Sequence, residues 1–137
     1  MPSTHEVFNQ PAPLAGYNLF DGNQALQSAL KFNAPGLDTA PLRTLGGLLG
    51  SAEMQTHAQL ANVHTPQLRS HDRYGNRVDV VEFHPSYHAL MNLAAESGLH
   101  GSPWLDAKHG HIKRAAGFTM FTEMEPSILC PISMTYA

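Results

Sequence analysis

The sequence is poor in several things at once. It has a single cysteine, Cys130, so no intramolecular disulfide can form. That usage fits a reducing compartment. Charged residues make up only 14% of the chain, against roughly 25% in a typical globular domain. No basic run occurs: Lys31, Arg43, Arg69, Arg73, Arg77, Lys108, Lys113 and Arg114 are scattered, and the net charge is −3. An autonomous nucleic-acid binder clusters its Lys and Arg, so that class is excluded for this segment. No apolar run approaches the roughly 18 residues needed to span a bilayer. Met1 to Gln10 lack a basic start and an apolar core, so they do not read as a signal peptide. The expectation is a soluble, cytoplasmic chain with no membrane contact.

What remains suits one domain. The length is 137 residues and the apolar fraction 42%, enough for one hydrophobic core. A sparsely charged surface points to partial cover by another domain or subunit; reliance on Asn, Gln, Ser, Thr and His for solubility is the plainer alternative.

Residues 1–20 carry Pro2, Pro11, Pro13 and Gly16, which forbid a continuous helix. They also carry Val7, Phe8, Leu14, Tyr17, Leu19 and Phe20. An extended arm so apolar should pack against a surface, its own or a neighbour's. A first helix is expected from Asp21 as N-cap, with Gln24 completing a capping box. Leu26, Ala29 and Leu30 form its buried face, and Asn33, Pro35 and Gly36 stop it. A second helix is expected after Thr39, with Pro41 in its first turn, running to about Asn62. Leu42, Leu45, Leu49 and Ala52 mark one face. Gly46, Gly47 and Gly50 lack a preceding strand and a Walker-type Lys, so close helix packing explains them better than phosphate binding.

Residues 67–83 change character. Asp72-Arg73-Tyr74-Gly75-Asn76 has turn chemistry, and Val78, Val80, Val81 and Phe83 favour strand. A short hairpin is expected near residues 68–83. His84-Pro85 restarts a helix with Tyr87, Leu90, Met91, Ala94 and Ala95 on one face, ended by Gly98. A last long helix, His111 to Met124, is apolar around most of its circumference, as a central helix would be. Pro126 kinks or ends it, and Ile128 to Ala137 is again apolar. The chain stops there without a polar tail, and is expected to work as part of something larger. The fold class is all-α, a helical bundle with an extended arm and a hairpin-like excursion.

No catalytic constellation emerges. His84 and His88 have the i, i+4 spacing of some zinc pairs, but no third ligand announces itself. His109 and His111 flank Gly110 without a cysteine. Glu123 and Glu125 point apart on a helix and read as a solvated helix end. Cys130 sits in an apolar stretch with no basic neighbour to activate it, and reads as a buried inert thiol. Asp38, Asp72, Asp79 and Asp106 are turn or cap candidates.

A set of motifs runs in order along the chain: Val7-Phe8-Asn9-Gln10-Pro11, Asn18-Leu19-Phe20, Leu60-Ala61-Asn62-Val63, His71-Asp72-Arg73-Tyr74-Gly75-Asn76-Arg77, Val81-Glu82-Phe83-His84-Pro85-Ser86-Tyr87-His88, Pro103-Trp104 and Cys130-Pro131-Ile132-Ser133-Met134-Thr135. In that order they resemble the N-terminal part of the AidB-like acyl-CoA dehydrogenases of the adaptive response to alkylation. Tyr87 stands where a tryptophan is common, and Thr65-Pro66 where paired prolines are common. The resemblance implies the helical N-terminal domain of the acyl-CoA dehydrogenase fold, with a middle β domain and a C-terminal helical domain to follow. It implies FAD in the parent protein and none on this segment alone, with the general base and any DNA binding in the C-terminal region. An acyl-CoA-like substrate, the remaining domains and a homo-oligomer are the implied partners. Met134 and Thr135 are the implied pocket-lining residues, with a plain core role as their alternative. Two rival classes stand beside it: a stand-alone helical interaction module without catalysis, and a His-based metal protein.

Overall fold

The computed structural model describes residues 5–105 and 108–136. Asp106, expected as a turn or cap residue, lies outside them, as do Met1 to Thr4 and Ala137. The described residues form seven α-helices and one antiparallel ribbon: α1 Leu19–Gly22, α2 Gln24–Asn33, α3 Ala40–Leu49, α4 Ala52–Val63, β1 Gln67–His71, β2 Arg77–Glu82, α5 Pro85–Glu96, α6 Gly110–Met124 and α7 Leu129–Met134. A 3-10 turn, Ser102–Trp104, links α5 to α6. The all-α expectation is therefore corrected: the domain is mostly helical but carries a two-stranded sheet.

Two helix boundaries differ from those expected, each for a local reason. Asn18 caps α1, accepting from the amides of Phe20 and Asp21. Asn23, not Asp21, then caps α2 by accepting from Leu26 N. Burial of Leu19 and Phe20 selects this arrangement. The single helix expected from Thr39 to Asn62 is broken at Gly50-Ser51. Ser51 caps α4 through Met54 N at 3.2 Å, while Gly16 N donates to Gly50 O at 2.7 Å. A Cβ on Gly50 would collide with the Tyr17 carbonyl, and one on Gly46 would lie 2.6 Å from Phe20 N. These glycines let the arm's end and α1 lie directly on α3, the close packing their spacing suggested.

The core is built around α6, whose Ala116, Met120 and Phe121 are buried. It packs against α3, α2, α7 and the 3-10 turn, while α4 lies along α5 and α1 on α3. Leu42, Leu45, Leu49, Leu90, Ala94, Leu99, Ile128 and Ile132 complete the cluster. Full burial of one such side chain is worth roughly 1.5–3 kcal/mol. Ala29, Ala95 and Ala115, expected on buried faces, are exposed.

The ribbon follows different rules. Gln67 pairs with Glu82, Leu68 with Val81 and Arg69 with Val80, then a bulge shifts His71 onto Arg77. Asp79 in the bulge has φ 47°, a left-handed conformation uncommon for a side-chain-bearing residue. Its carboxylate accepts from Arg77 Nε at 2.6 Å. At the tip, Asp72 accepts from the amides of Tyr74 and Asn76 and from the Asn76 side chain. The Asn76 side chain first, then these amides, hold the Asp72 carboxyl below its usual 3.8. Every strand residue is exposed on both faces.

Candidate functional site

His84 and His88, the spaced pair, make capping and ring contacts. His84 is the N-cap of α5, its ring accepting from Ser86 N, and it stacks on His64 at 4.6 Å. His88 lies edge-on to Phe83 and Tyr87. Among the described residues, no group of three or more His, Cys, Asp or Glu is placed to hold a metal ion. His57 Nδ1 does lie 3.0 Å from Ser86 Oγ, the contact a nucleophile and its base make. Ser86 is only 2% exposed, so no substrate reaches its hydroxyl, and the pair ties α4 to α5.

The two glutamates part company. Glu123 is exposed and accepts from Asn23 Nδ2 at 2.8 Å. Glu125, expected in a solvated helix end, is 5% exposed. It accepts from Asn62 Nδ2 and from Ser127 N. A buried carboxylate needs such donors; here they fasten α4 to the turn between α6 and α7. Cys130, expected to be buried, is exposed instead. Helix α7 buries Leu129 and Ile132 while Cys130 faces outward. Asp38 accepts from Ala40 N ahead of α3.

The chain also assembles a cluster that its sequence did not announce. Trp104 stacks on Tyr136 at 5.4 Å and donates from Nε1 to Tyr136 O at 3.1 Å. His111 Nδ1 pairs with the Tyr136 hydroxyl. The Arg114 guanidinium lies 3.7 Å from the Tyr136 ring centroid and 5.0 Å from that of Phe118. Its Nε donates to Leu99 O at 2.6 Å, while Nη2 is buried without a hydrogen-bond partner among the described residues. His109 opens α6 with φ 64°. Only Pro103-Trp104 stood out in the sequence; Tyr136 and Arg114 lie too far from it along the chain for any periodicity to join them.

Met134 is 76% exposed. Thr135 is exposed as well, its hydroxyl donating to Ile132 O at 2.9 Å. Neither lies in the interior, so the plain core role is set aside, and neither lines the three clefts described here. One cleft of 340 Å³ runs between α3, the end of α5 and α6, past Lys113 and Arg114. A second, of 570 Å³, lies between α2 and α3. The third, of 420 Å³, sits beside the His64–His84 stack at the ribbon's base. Hydroxyls and bases share the first and third clefts, Ser97 with Glu96 and Thr65 with His64 and His84. Among the described residues none of these hydroxyls is hydrogen-bonded to a base, and Thr44 Oγ1 donates to Ala40 O.

Residues 9–137 match the family described as the adaptive response protein AidB N-terminal domain. The chain belongs to this family. The putative acyl-CoA dehydrogenase AidB of Escherichia coli (strain K12) is 41% identical over 136 residues, 98% of this chain and 25% of that protein. The apo form of Bd2924 matches with a TM-score of 0.80 and 27% identity, over 93% of this chain and 26% of its own. Caenorhabditis elegans ACDH-11, solved in complex with C11-CoA, matches with a TM-score of 0.77 over 96% of this chain and 24% of its own. Its identity is 20%, so that likeness concerns fold alone. The AidB N-terminal chain thus spans about a quarter of the length of the relatives it matches. Among its described residues, no helix is long and apolar enough to cross a membrane.

Proposed function

We propose that this chain is the N-terminal domain of an AidB-like, FAD-dependent acyl-CoA dehydrogenase-type flavoprotein of the cytoplasm. It covers one side of the acyl-substrate pocket and contributes to oligomer packing, and it is not catalytic alone. The remaining domains hold the flavin and the general base, and any DNA contact belongs to the C-terminal region. Met134 and Thr135 line the acyl pocket. The observation that carries the reading is the match to an acyl-CoA dehydrogenase relative over 98% of this chain but only 25% of that protein. The exposure of Met134, Trp104 and Leu105 supports it, since large apolar groups left outside one core are available to another. Gly46, Gly47 and Gly50 are taken up by close packing against Asn18, Phe20 and Tyr17, which leaves no phosphate cradle at that point.

The test grafts residues 1–137 onto the Escherichia coli relative in place of its own matching quarter. The chimera should purify with bound flavin. Met134→Arg should then weaken acyl-CoA binding about tenfold, the scale of one lost apolar contact, and leave the flavin spectrum unchanged. A chimera without flavin, or a Met134→Arg chimera with unaltered acyl-CoA affinity, contradicts the reading. The alternative, a stand-alone interaction module, draws support from the closed core around α6, and a flavin-free chimera would favour it.

A further inference from the structure

The N-terminal arm and the cleft between α2 and α3 are complementary, and among the described residues none of the arm's positions 5–15 lines that cleft. Residues 5–15 are exposed throughout, with Phe8 at 85%. Val7 and Leu14 stand out beside it, and Pro11 and Pro13 keep the segment extended. Glu6 is the arm's only acidic side chain, and it enters no ion pair among the described residues. The arm is anchored where Gly16 N meets Gly50 O. From there an extended segment reaches about 3.1 Å per residue, far enough to place Phe8 on another molecule.

The cleft offers what the arm requires. Phe20, Leu30, Ala34, Pro35 and Leu37 line it, and Lys31 and Arg43 stand at its edge. Arg43 is already paired with Asp21 at 2.8 Å, while Lys31 has no ion-pair partner among the described residues. The cleft therefore presents an apolar floor beside one uncommitted cation; the arm presents apolar side chains beside one uncommitted anion. Opposite charge at the rim of an apolar contact sets register and orientation.

We infer that the arm of one copy of this chain docks into the α2–α3 cleft of a second copy, with Phe8 on the apolar floor and Glu6 facing Lys31. The cleft is incomplete without the partner's arm, and the exchange is reciprocal in a two-fold pair. This deepens the oligomer packing in the proposed function and rests on that part of it.

The experiment mixes two variants of the 137-residue chain, both carrying Cys130→Ser to remove the exposed thiol. One has Asn9→Cys, beside the retained Phe8, and is isotopically labelled; the other has Ser28→Cys, on the exposed rim of the cleft. After mild oxidation, mass spectrometry should find the labelled position 9 joined to the unlabelled position 28. In the otherwise unaltered chain, Glu6→Lys should weaken self-association by up to about fivefold, the scale of an exposed ion pair. Adding Lys31→Glu should restore it. Absence of the mixed-chain link overturns the inference. If sedimentation still finds an oligomer then, the oligomeric reading survives without the arm; a monomer at every concentration removes both. A link formed only within one chain, in an Asn9→Cys/Ser28→Cys double variant, equally overturns exchange between copies.

Discussion

The helical body and the two appendages handle apolar side chains in opposite ways. Around α6, Leu49, Leu90, Ala94, Met120 and Phe121 are wholly buried. In the arm and the ribbon, Val7, Phe8, Leu14, Leu68, Val80 and Val81 lie open to solvent. An isolated two-stranded ribbon is marginal in water, and a bare apolar arm gains nothing by extending. The body is thus stabilised by this chain's own residues. The arm is tied down at its end, by Gly16 to Gly50 and Asn18 to Arg43, and the ribbon by its own ladder, its turn and the Arg69–Glu82 pair; their apolar groups are left for other surfaces.

The contrast can be broken at several points. Phe121→Ala, at the buried centre, should cost about 3–5 kcal/mol in urea unfolding. Gly50→Val drives a side chain into the Tyr17 carbonyl and should cost about 1–3 kcal/mol or more, while raising protease cleavage within residues 5–18. Asn62→Ala removes one of the two donors to the buried Glu125 carboxylate and should cost about 1–3 kcal/mol. On the ribbon, Val80→Thr should change the unfolding midpoint hardly at all, within about 0.5 kcal/mol. The smallest effect is local. Because the folded Asp72 pKa is lowered, its contribution to the turn is present above the unfolded value of 3.8 and is lost as pH falls through the lower folded value. NMR should find the Asp72 carboxyl titrating below 3.8, with the Tyr74 and Asn76 amides shifting in step.

Much of the body was legible because its signals are local. Pro41, Gly98 and the Leu90/Ala94 spacing marked helices that exist, and Asp72 to Asn76 marked the turn. The break at Gly50-Ser51 was hidden because Leu45, Leu49 and Ala52 continue the helical spacing across it; a distant contact, Tyr17 on Gly50, decides it. Asp21 and Asn23 are both good caps, and the burial of Phe20 chooses between them. The polar interior was illegible for a related reason. Glu125 is buried by its pairing with Asn62, and the Trp104–Tyr136–Arg114 cluster joins the loop, α6 and the end of α7. No spacing rule links such positions. The ordered motifs, by contrast, were enough to point to the family.

Hydrogen exchange, followed by mass spectrometry, tests the central contrast most directly. In the isolated chain, kept dilute enough to be monomeric, amides of α5 and α6 should exchange only through global opening, while those of residues 5–15 and of both strands exchange through local opening. In the chimera with the rest of the Escherichia coli relative, the body should keep its protection and the appendages should gain it. Appendage amides as slow as those of α6 in the monomeric isolated chain, or unchanged in the chimera, would contradict the account.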